Sequence, residues 1–73
     1  MKFIPGTKFI NNTRKNTRHF QSGVLHVLNN VSFNKEDNTF TYSFKLPQKN
    51  EFKEVKFESI EQADNYLQTI ILN

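Results

Sequence analysis

The chain has 73 residues, ten Lys and Arg against seven Asp and Glu, and no cysteine. This length allows one small domain with a thin stability margin, and the absence of cysteine excludes disulfides and thiolate metal sites. Eight Phe and two Tyr supply most of the large apolar side chains, so the core has to be built from aromatic rings.

The charge is unevenly spread. Residues 1–35 hold Lys2, Lys8, Arg14, Lys15, Arg18 and Lys35 and no acid, whereas residues 36–73 hold all seven acids against four Lys. The halves therefore carry +6 and −3. Such asymmetry points to an anionic partner for the basic half, unless folding mixes the two. The bias toward Asn, Lys, Phe and Ile fits an AT-rich genome, viral or small bacterial. The longest apolar run is Ile70, Ile71 and Leu72, too short for a signal peptide or a membrane span. A cytoplasmic protein without membrane contact is the expectation.

In chain order, Met1–Ile4 is a short apolar start broken by Pro5 and Gly6, a turn pair. Thr7–Asn11 is expected to form a first strand with Phe9 inward. Asn12–Gly23 has no apolar period. Its Asn and Thr residues favour turns by bonding nearby backbone, so it is expected to form a long loop. Val24–Asn34 is strand-like, but its apolar side changes near Asn29 and Asn30. A bulge there would add one residue and re-aim the side chains; a break into two short strands would do the same. Lys35–Asn38 is a polar turn.

Thr39–Leu46 alternates most cleanly. Phe40, Tyr42, Phe44 and Leu46 share one side, and Thr39, Thr41, Ser43 and Lys45 share the other. This is the pattern of a strand with one buried face, and it is the best candidate for the middle of a sheet. The hydroxyl-rich side is expected to be wet or covered by a partner. Pro47 closes the strand. Phe52–Glu58 alternates again, with Val55 and Phe57 inward and Glu54, Lys56 and Glu58 outward. Ser59, with Gln62 three residues later, is a capping box. Ile60, Ala63, Tyr66, Leu67, Ile70 and Ile71 then form the apolar stripe of a helix of about twelve residues. Glu58, Glu61 and Asp64 are expected on its acidic outer face.

The order β-β-β-β-α predicts an α+β fold: a four-stranded antiparallel meander, or a half-barrel, with the C-terminal helix packed on it. The opening Pro-Gly-Thr-Lys-Phe, the long polar loop and the Gly-Val before the next strand resemble the start of SH3-like small barrels. The resemblance covers the first thirty residues and implies a fold, not a function.

Catalysis is not expected. Ser22, Ser32, Ser43 and Ser59 lack a nucleophile context, and His19 and His26 stand seven residues apart with no nearby acid. Two His without a third ligand do not make a zinc site, and His26 is expected to be a surface or half-buried residue. Gly6 and Gly23 are explained by turns, so there is no phosphate loop. No metal and no cofactor are expected.

The stretch Lys8–Phe20 remains. Lys8, Arg14, Lys15 and Arg18 would neutralise phosphates, and His19 or Phe20, if exposed, would stack on an unpaired base. The alternative for Phe20 is an anchor holding the loop to the core. The chain is thus expected to be a small non-catalytic interaction module, binding nucleic acid through the Lys8–Phe20 loop. The alternative is a protein-binding regulator or adaptor docking on an acidic surface of a larger protein. An uncovered sheet edge would also allow a homodimer.

Overall fold

The computed structural model describes residues 1–11 and 19–71. Its elements are β1 (Lys8–Ile10), β2 (Leu25–Asn34), β3 (Thr39–Leu46), β4 (Glu51–Phe57) and a helix α1 (Ile60–Ile71). The strands form one antiparallel sheet in the order β1-β2-β3-β4. This is the expected α+β architecture, with the sheet as an open meander and β1 and β4 at its edges.

β1 is shorter than the expected Thr7–Asn11. Thr7 is drawn into a turn instead: its hydroxyl donates to the Ile4 carbonyl at 2.7 Å. Gly6 adopts φ 99° there, a left-handed conformation that glycine takes without a Cβ penalty. At the far end, Asn11 leaves the ladder and bridges to Ser22.

The bulge in β2 is present. Leu28 pairs with Phe44 and Asn30 with Ser43, so Asn29 is the extra residue. It lets His26 and Leu28 on one side of it, and Val31 and Phe33 on the other, line the same face. β3 pairs with β4 without interruption, from Phe40 opposite Phe57 to Leu46 opposite Glu51.

The inner face carries the core. Phe9, Leu28, Tyr42, Phe44, Leu46, Val55 and Phe57 form one cluster with Ala63, Leu67 and Ile70 of α1. The helix begins as its sequence dictates. The Ser59 Oγ accepts the Gln62 N–H at 3.0 Å. The Gln62 side chain reaches back one residue further than a standard box, to the Glu58 N–H at 2.7 Å.

Three side chains lie differently from expectation. His26 is fully buried, not at the surface. Its inward parity places it against Phe9, with the rings stacked 5.3 Å apart. Phe20 is also fully buried, because the chain before β2 crosses the inner face beneath the sheet. Asp64 belongs to the buried side of α1, not to its acidic outer face. Both of its oxygens accept the Lys2 N–H at 3.2 Å, which ties the N-terminal segment to the helix.

Candidate functional site

The register divides the sheet into two ends. At one end lie β1, the start of β2, the end of β3 and the start of β4. The Lys35–Asn38 turn lies at the other. Lys8 pairs with Val27, Val27 with Lys45, and Lys45 with Phe52. These four therefore form a row across all four strands. Their neighbours Phe9, Phe44 and Lys53 take the inner parity, so the row lies on the outer face.

This outer row is exposed. Phe52 is 63% accessible, and Ile10, one step along β1 on the same face, is 48% accessible. Leu25 pairs with Ile10, and Leu25 and Val27 are half-buried. The Lys45 ammonium stands 5.9 Å from the centre of the Phe52 ring, within cation–π range. The result is a shallow apolar strip carrying one open ring and two cations.

Two further cations, Lys49 and Lys53, gather at this end. Lys49, in the β3–β4 turn, hydrogen-bonds the Gln21 side chain. Lys53 donates to the His19 carbonyl at 2.6 Å. The neighbouring Gln48 accepts the Leu25 N–H at 3.0 Å. Together these bonds clamp the β3–β4 turn to the segment leading into β2. Glu51 sits among these lysines. The opposite end is mixed and more acidic: Glu36, Asp37, Glu54 and Glu58 lie there with Lys35 and Lys56. The Thr39 hydroxyl bonds the Asp37 carboxyl and, with Lys56 3.7 Å away, holds it below the usual carboxylate range.

Of the residues expected to bind nucleic acid, the three described ones, Lys8, His19 and Phe20, are not brought together. Lys8 is exposed on the outer face. His19 and Phe20 lie on the inner side. His19 packs edge-on to Tyr66, with centroids 6.2 Å apart. Phe20 is surrounded by the rings of Phe9, His26, Phe44 and Tyr66 at 5.0–5.9 Å. A buried ring cannot stack on a base, so Phe20 is the anchor of its loop and not a contact. Arg14, Lys15 and Arg18 lie outside the described residues. The side-chain amide of Asn11 donates to the Phe20 carbonyl at 3.0 Å, which ties together the described residues on either side of them.

Lys45 and Phe52 were missed as site residues. Phe52 shares parity with Glu54 and Lys56, and that was the available signal that it faces outward. Its pairing with Lys45 required the register.

His26 lies on the inner face directly behind this row. Its Nδ1 lies 2.8 Å from the Val24 carbonyl, the place of an N–H donor. Its Nε2 is buried and has no partner among the described residues. Burial lowers its pKa, and the nearby Lys53 and Lys49 push the same way against the opposing bond to Val24. It is a neutral core side chain. Among the described residues no three His, Cys, Asp or Glu side chains converge on a metal position, and no helix is long and apolar enough to cross a membrane.

Compared with protein-family models, curated proteins and solved structures, the chain matches none.

Proposed function

We propose that the chain binds single-stranded nucleic acid across the basic end of its outer sheet face. The observation that carries this is the row Lys8, Val27, Lys45 and Phe52 across the four strands, with Lys45 beside the exposed Phe52 and Lys8 at the far edge. Lysines neutralise backbone phosphates without reading sequence, and an exposed ring stacks on any unpaired base. A flat strand face with an accessible aromatic is suited to unpaired bases, which a duplex keeps stacked within itself. Arg14, Lys15 and Arg18 add three further positive charges to the chain. The function is binding, not catalysis.

The test is a fluorescence-anisotropy titration with short single-stranded RNA, single-stranded DNA and duplex DNA at two salt concentrations. The expected result is tighter binding to single strands that weakens steeply with salt. Phe52→Ala should cost about tenfold, in line with about 1–3 kcal/mol for a stacked base. Lys8→Ala and Lys45→Ala should each reduce the salt slope by about 0.7. The Arg14/Lys15/Arg18 triple Ala variant measures the share of these three cations. Absence of binding at low salt would overturn the reading, because the electrostatic attraction is strongest there.

Docking on an acidic surface of a larger protein is the second reading. Its support is the apolar content of the same strip: Ile10 and Phe52 are largely exposed beside half-buried Leu25 and Val27. Under it, the chain ignores all three nucleic acids and Phe52→Ala abolishes capture of a protein partner instead.

A further inference from the structure

β4 is an edge strand, and among the described residues nothing pairs with its outer side. An edge presents a row of N–H and C=O groups ready to accept another strand. Seven residues without proline make β4 long enough to do so. The question is which strand it fits.

Two copies of β4 pair symmetrically only about a two-fold axis, antiparallel, with the same face up in both. Faces match when one residue sits on the axis opposite itself. With Lys53 on the axis, two lysines oppose each other. With Glu54 there, two carboxylates do. Like charges directly opposite are unfavourable. With Val55 on the axis the pattern becomes self-complementary. Val55 meets the partner's Val55, Glu54 meets the partner's Lys56, and Lys56 meets the partner's Glu54. On the inner face Lys53 then lies opposite the partner's Phe57.

Two further observations favour this register. Lys53 is an inward-facing charge of the kind that protects edges from pairing, but its ammonium is already taken by the His19 carbonyl at 2.6 Å. Beside the edge, on the inner side, runs a groove of about 280 Å³ lined by His19, Val55, Phe57 and Tyr66 among others. It leaves room for side chains arriving with a second strand. We propose that β4 pairs antiparallel with β4 of a second copy, centred on Val55, so that one continuous sheet runs through both. This stands on charge order and register and does not depend on the nucleic-acid reading.

Charge reversal tests it. Glu54 and Lys56 are both exposed, and the bond from Lys56 to Asp37 is an exposed pair that contributes little. Substitution at either site should leave the fold intact, which circular dichroism checks. Sedimentation equilibrium of the wild-type chain, free of nucleic acid, should show a reversible monomer–dimer equilibrium. Glu54→Lys alone and Lys56→Glu alone should each shift it to monomer. An equimolar mixture of the two variants should dimerise again, and so should the E54K/K56E double variant, because each restores opposite charges across the axis. A wild-type monomer at every concentration, or a dimer that both single variants retain, would overturn the proposal. So would a mixture that stays monomeric.

Discussion

Phe20 and Phe52 are two aromatic side chains at the same end of one sheet, on opposite sides of it. Phe20 comes from a segment with no apolar period, yet it is fully buried among four other rings. Phe52 comes from a regular strand, yet it is 63% accessible. The inner region holds the molecule together by burying apolar surface. The outer region adds little to that and leaves a ring and two ammonium groups facing solvent. A small chain has few large side chains to spare, so one left in the open beside cations is the feature most in need of a function.

The contrast can be broken most forcefully at Phe20. Phe20→Ala should cost about 3–5 kcal/mol by leaving a cavity where four rings meet. That is a large part of the roughly 5–15 kcal/mol that holds a domain folded. Urea unfolding should show a partly or wholly unfolded variant. A stable Phe20→Ala protein would mean that the loop anchor is not part of the core.

His26 sharpens the same contrast through pH. Its folded-state pKa is lowered, so between that value and the ordinary value of about 6.5 the unfolded chain binds the extra proton. Its contribution to stability is complete above about pH 6.5 and is lost as pH falls through the folded-state value. The loss is at most about 1.4 kcal/mol per pH unit. Urea unfolding at pH 7.5 and 5.5 should show this slope in the wild-type chain and a shallower one in His26→Leu. Equal slopes would remove His26 from the account.

Asp64 gives a smaller effect. Asp64→Ala removes the acceptor of the Lys2 N–H and should cost about 1–2 kcal/mol in the same assay, with Asp64→Asn intermediate. Smallest of all is Phe52→Ala, expected within about 0.5 kcal/mol of wild type in stability. Substitution of one aromatic should unfold the protein, and substitution of the other should leave it folded and impair binding.

Much of the fold was legible in the sequence because its signals are local. The alternation of Thr39–Leu46, the parity change at Asn29 and the Ser59/Gln62 cap each need only a few neighbouring residues. Residues whose place depends on distant partners were harder. Asp64 looks like a helix-start carboxylate until Lys2 is brought to it, and His26 looks superficial until Phe9 and Phe20 cover it. The charge asymmetry along the sequence is not the division that the described residues show. Among them, folding does not separate the first half from the second. It gathers Lys8 with Lys45, Lys49 and Lys53 at one end of the sheet. The candidate site was therefore readable only at Lys8. Phe52 carried an outward parity, but a cationic neighbour such as Lys45 is assigned by strand register, which no local pattern reveals.

The most direct test of the central claim is an NMR titration of the ¹⁵N-labelled chain with a short single-stranded oligonucleotide. Saturable shifts should concentrate at Lys8, Val27, Lys45 and Phe52, while the amides of α1 stay in place. Shifts confined to α1 or to the Lys35–Asn38 turn, or no shifts at low salt, would contradict it.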